Sequence, residues 1–217
     1  AIEDHFDKSP ELEADLTAKG KYELLDLVHS VTPRGVNFIF IRQPEPLGLG
    51  HAVLCARPVV GDEPFGVILA DDLIYAQQPA LGQLIGARSE MGGGSVLAVQ
   101  NVEPKETNKY GIVGVDDELK QTSCVRTMVE KPAPEAAPST LAVIGRYVLE
   151  PEIFTALEHV DRGVGGEIQL TDAIASLLGE GKTYAHRFEG RRFDCGSKQG
   201  FLDATIHFAR KRGFRIG

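Results

Sequence analysis

The feature that most constrains this chain is an apolar, strand-like segment that runs into a glycine-containing loop and then into a helical pattern. Residues 36–41 are mostly β-branched or aromatic, which predicts a strand buried on both faces. The loop at 42–50 contains two prolines that cannot pair in a sheet, and Gly48 and Gly50 permit positive φ or close approach of a ligand. A helical pattern begins near His51. Such a loop lies at the carboxyl edge of a parallel α/β sheet, where ligands bind.

Polar side chains near this loop indicate what the sheet edge could bind. The amide of Gln43 offers a donor and an acceptor, which suits the imide edge of a flat base. A second apolar strand is predicted at 65–70, and Asp71 and Asp72 follow it. Mg²⁺ takes one or two carboxylates and completes its octahedron with water and phosphate oxygens. Together these residues favour a nucleotide-phosphate site.

Each piece also has a simpler interpretation. The two glycines match neither the dinucleotide fingerprint nor the P-loop, so the loop on its own is typical of a plain turn. An Asp-Asp pair after a strand is more often a helix cap than a metal ligand. Only the conjunction of loop, amide and carboxylate favours the functional interpretation.

The rest of the chain alternates between strand and helix patterns. Residues 9–31 predict two short helices interrupted at Gly20, and 79–91 predict a longer helix followed by a strand at 95–102. An edge strand is predicted at 183–188. This alternation predicts an α/β fold with a mixed, mainly parallel sheet flanked by helices.

Composition narrows the class of protein. The 217 residues are 42% hydrophobic, enough for one sizeable domain, and the net charge of −8 argues against a nucleic-acid partner. We find no apolar run of roughly 18 residues and no signal-peptide layout, so we expect no membrane span and a cytoplasmic location. The three cysteines and six histidines are too scattered for a disulfide framework, a zinc site or a nucleophilic triad.

Seven ordered motifs, spread over essentially the whole chain, resemble the bacterial UTP–glucose-1-phosphate uridylyltransferases. They are QPEPLGLGHA at 43–52, LADD at 69–72, KYGIV at 109–113, VEKP at 129–132, GRYVL at 145–149, GEIQLTD at 166–172 and FDCG at 193–196. The first and sixth look more like this family than like the related thymidylyl- or adenylyltransferases. The resemblance implies a Rossmann-like, GT-A-like sugar nucleotidyltransferase fold, as one nucleotidyltransferase domain spanning 1–217.

The resemblance also implies a role for individual residues and a set of small-molecule partners. The implied catalytic residues are Lys131 and Asp71, and the implied ligands of a shared Mg²⁺ are Asp71 and Asp194. The implied nucleotide-binding residues are Gln43, Gly48 and Asp71, and the implied sugar-binding residues are Gly111, Glu130, Gly145 and Glu167. The implied partners are UTP, glucose 1-phosphate, UDP-glucose and further copies of the chain in a dimer or tetramer.

Simpler structural roles remain open for several of these residues. Glu130-Lys131-Pro132 is also typical of a surface turn, Gly111 of a bend, and Glu167 of a charge that complements a helix dipole. Adjacent side chains point to opposite faces while a strand lasts, so we predict that Glu130 and Lys131 point in different directions and do not form an ion pair with each other. Asp194, which precedes a glycine and a helix, could equally be a cap.

One departure from the family is clear. The family carries a Gly-rich loop with Arg and Lys near its amino terminus, and these residues contain nothing like it. We therefore expect the sequence to begin one or two strands into the nucleotide-binding half, with the N-terminal part missing. Two alternative functions remain: a related thymidylyl- or adenylyltransferase, and a non-catalytic paralogue that binds a sugar nucleotide.

Overall fold

A computed structural model of the protein describes residues 2–180 and 182–216. The chain divides into two compact units, Ala1–Arg42 and Gln43–Gly217. Compactness does not test whether the units fold independently, so the single domain predicted over 1–217 stays a prediction.

The first unit contains three short helices. They are α1 (Ile2–Phe6), α2 (Pro10–Ala18) and α3 (Tyr22–His29). Pro10 begins α2, where its missing N–H costs no helical hydrogen bond. Gly20 lies between α2 and α3 at a φ of 65°, a left-handed conformation that suits glycine. The two helices predicted within 9–31 are therefore confirmed.

Residues 36–41 do not form the predicted strand. Their five apolar side chains are 39–62% exposed, and no strand in the described ranges pairs with them. A strand needs a neighbour to take its backbone donors and acceptors. The prediction of a buried strand is therefore wrong. The apolar pattern showed that these side chains favour a strand, but it could not show whether a neighbouring strand is there to pair with them.

The second unit carries the remaining helices and strands. The helices are α4 (Leu49–Cys55), α5 (Arg57–Val60), α6 (Ala80–Glu90), α7 (Glu152–His159), α8 (Leu170–Ser176) and α9 (Lys198–Lys211). The strands are β1 (Phe65–Ile68), β2 (Asp72–Tyr75), β3 (Ser95–Asn101), β4 (Gly111–Val115), β5 (Thr122–Glu130), β6 (Leu141–Leu149), β7 (Thr183–Arg187) and β8 (Arg191–Asp194). Six strands form a sheet in the order β1-β6-β3-β7-β5-β4, while β2 and β8 form a separate pair.

The α/β class is confirmed, but the strand directions differ from the prediction. Among the described strands, only β3 and β7 pair in parallel, and the other pairings are antiparallel. The prediction of a mainly parallel sheet took each helix as a crossover between neighbouring strands. Instead α6 connects the separate pair to β3, and α7 and α8 connect β6 to β7 across β3. The predicted edge strand, β7, lies inside the sheet between β3 and β5.

The sheet has a hydrophobic core on each face because its central strands are apolar at both odd and even positions. In β3, Leu97 and Val99 pack in one core with α4, α7 and α8, while Val96 and Ala98 pack in the other with α6. All nine residues of β6 are buried. This rigid centre fixes the strand ends, and the polar residues described next lie at those ends.

Candidate active site

The turn between β1 and β2 carries Asp71 and Asp72 and is held by a buried arginine. Arg146 on β6 donates to the carbonyl oxygens of Leu69 (3.0 Å), Gly145 (2.7 Å) and Asp72. Burial lowers the pKa of Arg146, and the nearby charges of Asp72 and Asp71 partly offset that effect. The guanidinium thus supplies hydrogen bonds to carbonyl oxygens on both sides of this irregular turn. Sequence reasoning missed this role, although Arg146 lies within the GRYVL motif.

The separate strand pair brings the two predicted metal ligands together. Asp72 pairs with Asp194 in the register of β2 and β8, and the N–H of Cys195 donates to the Asp71 carbonyl at 2.7 Å. A Cβ atom placed on Gly196 would lie 3.2 Å from Asp194 Oδ1 and 3.5 Å from Asp71 Oδ2. The two carboxylates, 123 positions apart in sequence, therefore converge on one small region.

A second arginine holds the carboxylates at this point. Arg192 Nε donates to Asp72 Oδ1 at 2.5 Å, and its Nη2 lies 3.8 Å from Asp194 Oδ2. Its Nη1 donates to the hydroxyl of Tyr110 at 3.3 Å, and that hydroxyl lies 3.5 Å from Asp194 Oδ2. Burial acts to lower the pKa of Arg192, but its bonds to Asp72 and Tyr110 prevail and raise it. Sequence reasoning assigned no role to Arg192 or Tyr110.

Beside these carboxylates lies a cleft of about 340 Å³. Six of the predicted site residues line it: Asp71, Gly111, Glu130, Lys131, Gly145 and Glu167. Gln43, Gly48 and Asp194 are not among the described residues that line it. Gln43 contacts Gly48, which packs against Glu167, and Asp194 lies beside Asp71.

Glu130 and Lys131 form an ion pair at the end of β5. The Lys131 ammonium lies 3.3 Å from Glu130 Oε1, so the prediction that the two side chains point to opposite faces is wrong. The reason is that β5 ends at Glu130, and Lys131 adopts a φ of 46°, where strand alternation no longer holds. The other Glu130 oxygen, Oε2, accepts a hydrogen bond from Thr171 at 2.9 Å. Glu130 is thus fixed from two sides.

Two glycines of the cleft are required by their protein neighbours. A Cβ on Gly111 would lie 2.6 Å from Thr171 Cγ2, and one on Gly145 would lie 2.7 Å from Leu69 Cβ. Real Cβ atoms do not come so close. These positions therefore need glycine for packing, whether or not a sugar also approaches them.

The predicted base-binding loop packs against the segment that carries Glu167. Gly48 adopts a φ of 98°, and a Cβ there would lie 2.7 Å from Glu167 Cβ. The Gln43 amide nitrogen lies 3.0 Å from Gly48 O, to which it donates, and 3.0 Å from His51 Nδ1. The loop therefore fixes the Gln43 side chain, and His51 contributes to this positioning, a role that sequence reasoning did not assign.

Two further groups near the cleft have shifted pKa values. Burial raises the pKa of the Tyr147 hydroxyl, and the negative charges of Glu130, Asp72 and Asp71 raise it further. Burial also raises the pKa of Asp172, with a smaller contribution from Glu130. Both residues belong to motifs that carry the family resemblance, which is the signal that could have identified them.

The donor set fits a hard divalent cation. Mg²⁺ needs only one or two protein carboxylates when phosphate oxygens and water complete its coordination, and Asp71 and Asp194 supply that number. In the part of the chain that the structure describes, no cluster of three or more His, Cys, Asp or Glu residues could hold a metal. The pair therefore fits a metal shared with a phosphate ligand better than a closed structural site.

Comparison with known proteins agrees with this geometry. The nucleotidyl transferase family model matches residues 7–211, and members of that family generally use a divalent metal.

None of the described helices is both long enough and apolar enough to cross a membrane.

Two curated relatives are similar over nearly the whole chain. A UTP–glucose-1-phosphate uridylyltransferase of Bacillus subtilis strain 168 is 49% identical over 96% of this chain and 71% of its own length. A UTP–glucose-1-phosphate uridylyltransferase of Staphylococcus saprophyticus is 48% identical over 97% of this chain and 73% of its own length.

Solved structures give the same family. A UDP-glucose pyrophosphorylase from Acinetobacter baumannii is 41% identical with a TM-score of 0.87, over 97% of this chain and 73% of that one. Another UDP-glucose pyrophosphorylase, complexed with UDP-glucose, is 35% identical with a TM-score of 0.85, over 97% of this chain and 76% of that one. The chain therefore belongs to the nucleotidyl transferase family and, within it, to the UTP–glucose-1-phosphate uridylyltransferases.

Proposed function

We propose that this cleft transfers a uridylyl group from UTP to glucose 1-phosphate and releases UDP-glucose and pyrophosphate. The observation that carries the proposal is the convergence of six separate motifs on one cleft, with Asp71 and Asp194 meeting beside it. The relatives whose names state this reaction, and the similar structure with bound UDP-glucose, support the same substrates.

The reaction needs no covalent intermediate with the protein. A phosphate oxygen of glucose 1-phosphate attacks the α-phosphorus of UTP, and the bond from that phosphorus to the bridging oxygen breaks as pyrophosphate leaves. The protein has to bring two anions together in line and to stabilise charge on the phosphoryl oxygens. Fixed cations and hydrogen-bond donors supply that stabilisation.

At the acidic end of the cleft, Asp71 and Asp194 would hold Mg²⁺, which neutralises phosphate charge when bound. Arg192 would act here as a positioning residue. Arg192 donates a hydrogen bond to Asp72 Oδ1 and lies near Asp194 Oδ2. The other oxygen of Asp194, Oδ1, is then on the side of Asp71. Arg192 also offsets the repulsion among three neighbouring carboxylates, which would otherwise disfavour their ionised forms.

At the sugar end, Glu130 and Glu167 would accept hydrogen bonds from glucose hydroxyls, between the close-packed backbones of Gly111 and Gly145. Lys131 would bind the phosphate of glucose 1-phosphate as a mobile point charge. Its side chain is 42% exposed and its ammonium is already paired with Glu130, so an arriving phosphate would compete with that carboxylate for the lysine.

At the base end, the loop holding Gln43 and Gly48 would bind uracil. The Gln43 amide is fixed by Gly48 and His51, so the loop is ordered before a base arrives. An ordered amide binds a base more tightly than a mobile one, because less conformational freedom is lost on binding.

The proposal is tested by supplying the full-length protein with glucose 1-phosphate, a magnesium salt and one of UTP, dTTP, ATP or CTP. Pyrophosphate release and the sugar nucleotide formed are measured together. We expect kcat/KM for UTP to exceed the others by at least about tenfold. Preference for dTTP or ATP would reassign the base, and tight UDP-glucose binding without turnover with any nucleotide would indicate a non-catalytic paralogue.

We also infer a cytoplasmic location and a homo-oligomeric state, a dimer or a tetramer, from the family resemblance. Both stay predictions. Sedimentation of the full-length protein measures the second directly, and a monomer at micromolar concentration would contradict it.

A further inference from the structure

The strand pair of β2 and β8 separates two sets of charged side chains. Along β8, Arg192 and Asp194 face Tyr110 and the carboxylates of the cleft. Arg191 and Phe193 face the other way, since the Phe193 ring lies 5.0 Å from that of His207 on α9. The alternation of a strand thus places Arg191 on the face away from the proposed catalytic residues.

A groove of about 540 Å³ lies on that second face, between Arg191 and one side of α9. The α9 residues that line it are Asp203, Ile206, His207, Arg210 and Lys211. Their spacing of three, four, seven and eight positions is that of a single helix face. The groove is therefore built by regular secondary structure and not by a mobile loop.

The groove is rich in cations that lack acidic partners. Within residues 2–180 and 182–216, none of the ion pairs involves Arg191, Arg210 or Lys211. The one carboxylate in the groove, Asp203, accepts a hydrogen bond from Gln199 at 2.8 Å. Three unpaired cations facing one carboxylate are unexpected in a chain of net charge −8.

Two of the cations are held in place by aromatic rings. The Arg191 guanidinium lies 4.7 Å from the centroid of Phe193, and the Lys211 ammonium lies 5.0 Å from that of Tyr75. Cation–π contacts of this kind restrict the side chains without neutralising their charge. The cations are therefore partly preorganised and still able to bind an anion.

His207 lies among the positive charges of the groove. Burial lowers the pKa of its imidazole, and the charges of Arg191 and Lys211 lower it further. Its Nε2 is buried and has no hydrogen-bond partner among the described residues.

We propose that this groove binds a small phosphate-bearing anion of at least two charges, at Arg191, Arg210 and Lys211, as a site separate from the cleft. Two guanidinium groups can bind phosphate oxygens in a bidentate manner and a lysine adds a point charge. The strongly acidic chain as a whole disfavours an extended polyanion such as nucleic acid, so a small soluble phosphate compound fits best.

The test uses pyrophosphate as the probe, with EDTA present to weaken binding that depends on a divalent metal. Isothermal titration calorimetry compares the full-length protein with the double variants Arg210→Gln/Lys211→Gln and Arg212→Gln/Arg215→Gln. The second double variant removes the same charge near the end of α9 from exposed residues that do not line the groove. Unchanged melting temperatures show that both variants fold.

We expect one binding event whose Kd rises at least tenfold in Arg210→Gln/Lys211→Gln and less than twofold in the control variant. Equal affinity in all three proteins would place the anion elsewhere and overturn the proposal. An equal loss in both variants would show diffuse charge attraction and overturn it as well. A last experiment measures binding of the protein to vesicles of anionic phospholipid. Binding to the vesicles without binding of pyrophosphate would show that the surface recognises lipid and not a soluble phosphate, and would overturn the proposal.

Discussion

The acidic end and the sugar end of the cleft differ in how firmly their charged groups are held. Asp72 is buried and bonded to Arg192 and to the Gly145 N–H, and Arg146 fixes the turn that carries it. At the sugar end, Glu167 is exposed, and the Lys131 ammonium is paired with its neighbour Glu130 and with no other acidic side chain among the described residues. The difference lies in the supporting residues: two arginines hold the backbone and the carboxylate beside the exposed Asp71, whereas at the sugar end Glu130 is held by Thr171 while Lys131 and Glu167 can exchange partners with a substrate.

The largest effects should come from the two metal ligands themselves. We expect Asp71→Ala and Asp194→Ala each to lower kcat on the order of 10³-fold, because each removes a carboxylate that would hold Mg²⁺. The Asp71 side chain is exposed, so its loss should leave the melting temperature almost unchanged. Steady-state kinetics measures kcat, and titration with Mn²⁺ followed by electron paramagnetic resonance measures metal binding. Thermal denaturation measures the melting temperature. Near-normal rates in both variants, with Asp62→Ala as an exposed control, would remove the metal assignment.

Arg192 provides a sharper test of whether the acidic end is preorganised. Arg192→Met would leave the buried Asp72 carboxylate without its cation, which should lower the free energy of unfolding by about 3–5 kcal/mol. Arg192→Lys keeps the charge but loses the simultaneous contacts with Asp72 and Tyr110. We expect it to fold and to bind Mn²⁺ more weakly than the native protein, as measured by urea denaturation and Mn²⁺ titration.

Unchanged Mn²⁺ affinity in Arg192→Lys would show that Arg192 only stabilises the fold. A rise in KM for the metal, with little change in stability, would instead support positioning of Asp194. Tyr110→Phe serves as the matched control, since it removes the hydroxyl that contacts Arg192 and Asp194 but removes no charge.

At the sugar end, Lys131→Ala should act mainly on one substrate. We expect KM for glucose 1-phosphate to rise and kcat/KM to fall about 100-fold, with little change in KM for UTP, because the ammonium would bind the sugar phosphate. The variant should not lose stability, since its partner Glu130 keeps the hydrogen bond from Thr171. Lys105→Ala is a control from outside the cleft. An equal rise in KM for both substrates would contradict the assignment to the sugar end.

The sequence could predict which residues form this site, but not which contacts hold them in place. The family, the α/β class and the convergence of Asp71 with Asp194 were predicted, because the motifs preserve residue types that the chemistry needs. The roles of Arg146 and Arg192 were not, since an arginine in a motif does not reveal which carbonyl or carboxylate it meets. The predicted strand directions and the predicted burial of residues 36–41 were wrong, because an apolar pattern describes the side chains of a strand and not the strand that pairs with it.

The smallest effect concerns Asp172, beside the Thr171–Glu130 contact. Its pKa is raised by burial and then by Glu130, so the folded protein binds this proton more tightly than the unfolded chain does. The stability linked to this group is therefore present in full below its ordinary pKa of 3.8 and is lost as pH rises through the higher folded pKa. At neutral pH the ionised carboxylate opposes folding, by less than about 1 kcal/mol because the group is only partly buried. Asp172→Asn should then stabilise the protein at pH 7 and lose that advantage near pH 3.5, as measured by urea denaturation at both values. If Asn stabilised equally at both pH values, packing and not charge would be the cause. The repulsion between the carboxylates of Asp172 and Glu130 would then be too weak to affect the stability of the sugar end.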